Sequence, residues 1–159
     1  MLRISKGSDD PYSKALDLLT RRDHSSAELA MKLQRRGFEK PAIDEALEKL
    51  TTQGFIDDVR FAARWVESAL RNGRGFGPKL LLGLQQKGID RETAQQAVAA
   101  GTVENPAEQV LQDIVTRKFA NFDNREASQK ERQRVYNYLL RRGFQLSTIL
   151  SYFRNQPSE

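Results

Sequence analysis

The sequence predicts an all-α protein made of three tandem three-helix repeats that form an elongated, curved array. Two observations predict it. Apolar residues recur at helical spacing between capping residues and glycine stops, and this pattern keeps one register through three copies. Counting back from Gly37, Gly88 and Gly143, the residues eight earlier are Leu29, Leu80 and Val135, and those four earlier are Leu33, Leu84 and Leu139. A cation precedes each glycine (Arg36, Lys87, Arg142) and an apolar residue follows it (Phe38, Ile89, Phe144). Six residues beyond stand Ile43, Ala94 and Ile149, and ten beyond stand Leu47, Val98 and Phe153. Units of about fifty residues bury little core alone, so neighbours are expected to stack and share apolar surface.

Residues 1–10 are polar and aperiodic and read as a disordered N-terminal segment. The first repeat spans 11–56. Its first helix runs from about Tyr12 to Arg22, with Ala15, Leu16, Leu18 and Leu19 inward. Asp23, His24 and Ser25 turn the chain, and Ser25 with Glu28 makes a capping box for a second helix that Gly37 ends. Pro41 opens the third, which continues to about Gln53. The second repeat spans 57–101. Asp57 or Asp58 caps a helix that buries Phe61, Ala62, Trp65, Val66 and Ala69. The glycines around Phe76 break it, Gly77 turns the chain, and Pro78 opens a helix whose Leu80, Leu81 and Leu84 lead to Gly88. Asp90 then caps a helix burying Ala94, Ala97 and Val98. Gly101 to Pro106 reads as a linker, with Asn105 capping and Pro106 as first helical residue. The third repeat spans 105–155, and Gln156 and Pro157 stop its last helix.

Composition excludes several functions. There is no cysteine and His24 is the only histidine, so disulfides and thiolate metal sites are out of reach and a reducing compartment fits. No Ser-His-Asp, metal-ligand or phosphate-loop arrangement can be assembled; no catalytic residue, metal or cofactor is expected. No apolar run approaches bilayer length, and the first residues lack a signal-peptide core. A soluble, cytoplasmic, monomeric protein is therefore expected.

The charge is concentrated. From Arg117 to Arg142 eight cations face three acids, an excess of five that equals the formal net charge of +5. Such a local excess reads as a footprint for a polyanion. Lys130, Arg134, Asn137 and Arg141 share one helical face without an acid, either a binding ridge or a solvated one. Arg60, Arg64 and Arg71 also share a face, but Glu67 interrupts it and makes a salt-bridged, solvated face the better reading. His24 reads as a turn residue, Asp57 and Asp58 as caps, and Phe61 with Trp65 as core. Phe76, among glycines beside Arg74, either touches a partner or plugs the gap between two repeats.

These stretches together resemble the RecX family of bacterial regulators of the RecA recombinase. The likeness is carried by Arg22-Asp23-His24-Ser25 with Glu28-Leu29, by Gly54-Phe55-Ile56-Asp57-Asp58 with Arg60-Phe61 and Arg64, by Gly75-Phe76-Gly77-Pro78, and by Lys87-Gly88-Ile89. The resemblance implies tandem three-helix repeats and a non-catalytic regulator that binds RecA filaments on single-stranded DNA. It further implies inhibition of RecA recombinase, ATPase and coprotease activity, with the RecA filament and single- or double-stranded DNA as partners. Where the family follows Gly-Pro with an arginine-containing stretch, this chain has Lys79-Leu80-Leu81-Leu82-Gly83. Weight therefore moves to the third repeat and to Arg35 and Arg36. The residues expected to contact the filament or nucleic acid are Arg35, Arg36, Arg74, Phe76, Lys79, Lys87, Arg117, Lys118, Lys130, Arg134, Arg141 and Arg142. An autonomous DNA-binding protein of helix-turn-helix-like modules is the alternative, and a purely protein-binding scaffold would leave the charge excess without a role.

Overall fold

The computed structural model of the chain describes residues 10–156. Among the described residues there are nine helices and no strand: α1 (Pro11–Arg21), α2 (Ser26–Arg35), α3 (Lys40–Thr52), α4 (Asp58–Arg71), α5 (Pro78–Gln86), α6 (Arg91–Glu104), α7 (Ala107–Lys118), α8 (Gln129–Arg141) and α9 (Leu146–Arg154). They pack in threes, in chain order, as modules one, two and three. The expectation for the N-terminal segment falls on residues 1–9, outside the described residues, and on Asp10, whose carboxylate accepts from Ser13 N and caps α1.

The threefold register has a physical cause in how the second helix of each module ends. Phe38 N donates to Leu33 O, Ile89 N to Leu84 O and Phe144 N to Leu139 O; the glycines donate to Gln34, Gln85 and Leu140. This is the Schellman ending, which needs a left-handed residue at the glycine and favours apolar side chains at its two flanks. Gly37, Gly88 and Gly143 have φ of 92°, 76° and 99°. The leucine, the glycine and the following apolar residue are thus one capping device used three times. The capping box at Ser25 and Glu28 is present, and Ser128 with Glu131 forms a second.

Neighbouring modules do not join alike. Modules two and three share one continuous apolar core, in which Leu70 and Val98 are buried in the same cluster as Val110, Leu111 and Ile114. Module one keeps a separate core of seven buried residues, from Ala15 to Ile56. Its bond to module two is polar. Ser25 Oγ donates to Lys87 O (2.5 Å), Ser26 N and Oγ donate to Asp58 (2.9 and 2.5 Å), Lys87 Nζ donates to Glu28 (2.9 Å), and Arg64 pairs with Asp23 (3.0 Å). The expectation of shared apolar surface holds fully for the second joint; at the first the buried clusters stay separate, and apolar contact is confined to spots such as Ala27 of α2 packed on Gly88, beside the serines and carboxylates.

Both joints nevertheless follow one rule. The residue twelve before a module's glycine donates to the carbonyl just before the next module's glycine: Ser25 to Lys87 O, and Phe76 N to Arg142 O at 2.7 Å. Geometry also separates the two candidate caps. Asp57 caps its own helix, accepting from Arg60 N, whereas Asp58 reaches back and caps α2 of module one.

One boundary differs from the sequence reading. Gly101 belongs to α6, which continues to Glu104, and Pro106 is the residue before α7 and not its first. A Cβ at Gly101 would collide with Val66. The glycine read as a linker packs against Val66 and Leu70 of α4, leaving no room for a side chain.

Candidate nucleic-acid interface

Much of the basic segment is engaged in holding module three together. Arg132 Nη1 donates to Asn124 O (3.3 Å), Arg125 Nη2 to Gln156 O (3.2 Å) and Arg117 Nε to Asp113 O (3.2 Å). Tyr138 has Lys118 Nζ at 5.0 Å and the Arg142 guanidinium at 4.9 Å from its ring centroid, so the ring quadrupole holds two like charges on one side chain. A cavity of about 600 Å³ lies between the end of α7, the following loop and α8. Arg117, Lys118 and Arg134 on its wall face Asp123, Glu126 and Glu131, so it carries no charge excess. Ser128 donates to Glu131 through its hydroxyl and its N–H and holds that carboxyl below its ordinary value.

With that cavity balanced, the excess of five lies in Arg125, Lys130, Arg132, Arg141 and Arg142; Lys130 and Arg141 carry it onto the outer ridge of α8, where Arg134 borders the cavity. Lys130, Arg134 and Arg141 are exposed, and among the described residues they have no hydrogen-bonding or ionic partner. The apolar stripe behind them is led by Val135 and Leu139, both buried; Leu140 is more exposed than the helical pattern suggests.

The remaining predicted contacts fall in three places. Arg35 and Arg36 are exposed at the end of α2. Arg74 and Lys79 flank the loop between α4 and α5 and are exposed, while Phe76 is partly buried there and stacks on Phe144 with centroids 5.1 Å apart. Phe76 thus fills the gap between modules two and three. Arg142 Nη1 donates to Arg74 O (3.0 Å) across the same joint. Lys87 is half-buried, its ammonium held by Glu28.

Glu28 is the ionic hub of the first joint. Burial is the largest influence on its carboxyl and pushes the pKa up, but bonds from Lys87, Arg22 and Ser25 N together outweigh it, leaving the group below its ordinary value. His24 beside it is buried, and that burial is the main reason its pKa is lowered. Its Nδ1 lies 2.9 Å from Arg22 O and must carry the proton, which leaves Nε2 buried with no partner among the described residues.

One feature escaped the sequence reading. Arg71 pairs with Glu67 as expected, but Arg64 turns away to Asp23 of module one. It thereby helps line a groove of about 300 Å³ with Arg22, Asp23, Phe61, Trp65, Arg74 and Lys87. Helical periodicity carries no sign of a partner 41 residues away; only the adjacency of Arg22 and Asp23 in a turn hinted at a charged corner.

Comparison with known proteins bears on the whole array. Family models described as the first, second and third three-helix domains of RecX match residues 12–50, 57–98 and 107–153 in that order. A regulatory protein RecX from Syntrophotalea carbinolica is 37% identical over 147 residues, covering 92% of this chain and 96% of its own. Another from Trichlorobacter lovleyi is 32% identical over 150 residues, covering 92% and 97%. Among solved structures, RecX from Lactobacillus salivarius superposes with a TM-score of 0.71 at 21% identity, over 91% of this chain and 92% of that one, and shares the fold. Three modules matched in order, and relatives aligned over most of its length, make this chain a member of the RecX family.

Proposed function

We propose that the chain regulates RecA by lying along a RecA filament on single-stranded DNA, mainly inhibiting its recombinase, ATPase and coprotease activities, as a monomer without catalysis of its own. The observation that carries this reading is the α8 ridge, where Lys130, Arg134 and Arg141 stand exposed and unpaired among the described residues on a helix with a well-packed opposite face. Cations with no internal partner on an ordered surface are what a polyanion recruits. Arg35, Arg36, Arg74, Lys79, Lys87, Arg117, Lys118 and Arg142 add positive charge along all three modules, with Phe76 bracing the loop that carries Arg74 and Lys79. The longest helices have 14 residues, about 21 Å each, so three modules reach on the order of 60 Å and touch several filament protomers. Each contact is weak, and linkage supplies the avidity.

Changing Lys130, Arg134 and Arg141 together to glutamate in the full chain tests this. The expected result is loss of inhibition of RecA ATPase on single-stranded DNA. Three fewer phosphate contacts should also shallow the salt dependence of binding by roughly 2 in log–log slope. Unchanged potency and slope would assign the ridge to solvent. DNA binding that persists without any effect on RecA would favour an autonomous DNA-binding protein.

A further inference from the structure

We infer that the groove at the first joint, between Trp65 and the cations Arg22, Arg64, Arg74 and Lys87, binds a phosphate and adjoining base of single-stranded nucleic acid. The inference rests on the reading that this chain acts on DNA, and adds to it a site outside the α8 ridge.

Charge comes first. Four cations line the groove against Asp23 alone, and Glu28 stands behind them, leaving two positive charges in excess. The 600 Å³ cavity of module three, twice as large, is balanced. The cations differ in how they are held. Lys87 and Arg22 are fixed by Glu28, and Arg64 by Asp23, which sets their heads without neutralising the group. The Arg74 guanidinium has no hydrogen-bond partner among the described residues, so its donors are available to a phosphate.

The wall supplies what a base needs. Trp65 is only partly buried; its six-membered ring packs on Gly83, where any side chain would collide with it, and so an indole is held in place at the groove. Phe61 closes the inner side. An ordered aromatic beside a cationic rail is the arrangement that binds unpaired bases with little sequence preference. About 300 Å³ is at the small end of ligand cavities, which suits one nucleotide of a strand. Arg22 and Asp23 come from module one and the rest from module two, so the site exists only while the joint is made.

Trp65 is the only tryptophan of the chain, so its emission reports the groove directly. Full chain is titrated with fluorescein-labelled oligo-dT, following label anisotropy for total binding and tryptophan emission for the groove, and heparin serves as a polyanion without bases. The expected result is saturable quenching by oligo-dT and none by heparin. Arg74→Gln, which removes a cation without an internal partner, should weaken the quenching transition about tenfold, the worth of one charge-assisted hydrogen bond. Arg64→Gln should act in the same direction. Binding by anisotropy with no change in emission would overturn the groove and leave the ridge standing. Quenching unaffected by either variant would also overturn it. Absence of any binding to DNA would remove both this site and the reading beneath it.

Discussion

At the scale of single residues, the turn before α2 and the first joint beside it carry two groups whose protonation folding disfavours, His24 in the turn and Glu28 bonded across to Lys87. The His24 pKa is lowered from 6.5 by burial, so between its folded and ordinary values the unfolded chain takes up a proton that the folded chain refuses, and stability falls as pH drops below about 6.5. The Glu28 pKa lies below its ordinary 4.5. Its contribution is complete above 4.5 and is lost as pH falls through the folded value. Urea midpoints measured from pH 8 to 3 should therefore decline in two stages. His24→Gln should flatten the upper stage and Glu28→Gln the lower; a histidine variant that keeps the full slope between pH 6.5 and 5 would show that His24 is not the proton acceptor.

At the scale of elements, three identical helix endings serve different ends. Gly37 faces open space, so a Cβ there meets only the left-handed backbone penalty, roughly 1–2 kcal/mol. At Gly143 the same Cβ would drive into Phe76 O, at the point where Phe76 N bonds Arg142 O and the two phenylalanines stack. Gly143→Ala must pay the backbone penalty and also open the second joint, including a stacked pair worth about 0.5–1.5 kcal/mol. Thermal unfolding of the two alanine variants should show Gly143→Ala as clearly the more damaging. Equal losses would mean that the close approach at Phe76 relaxes without cost.

At the scale of the molecule, the joints divide the array unequally. Modules two and three bury nineteen apolar residues in one cluster, and module one buries seven in its own. The first joint relies on a few ionic and hydroxyl contacts and the close packing of Ala27 on Gly88, and the exposed Arg64–Asp23 pair contributes at most about 1 kcal/mol. Module one should then open independently, with its amides exchanging at a lower free energy than those of α4 to α9 in native-state hydrogen exchange. Uniform protection across all nine helices would refute this. The shared core also means that a cut near Thr102 strips the cover of Val110, Leu111 and Ile114 from module two, whereas a cut near Ile56 leaves the larger cluster whole.

The sequence by itself determined the elements and their repetition. Capping boxes, glycine endings and helical periodicity are local devices, each settled within a few residues of chain, so Ser25 with Glu28, Gly37, Gly88 and Gly143 could be read directly. The α8 ridge was legible for the same reason, since a helix fixes which of its own residues share a face. Tertiary structure decided what those elements do to one another. Asp58 capping a helix of another module, Gly101 as a close approach instead of a linker, Phe76 as a plug, and Arg64 turning towards Asp23 all depend on distance in space between residues far apart in the chain. Helical periodicity repeats every 3.6 residues and carries no information about which module a face will meet; that was fixed only when the polar first joint and the apolar second one closed.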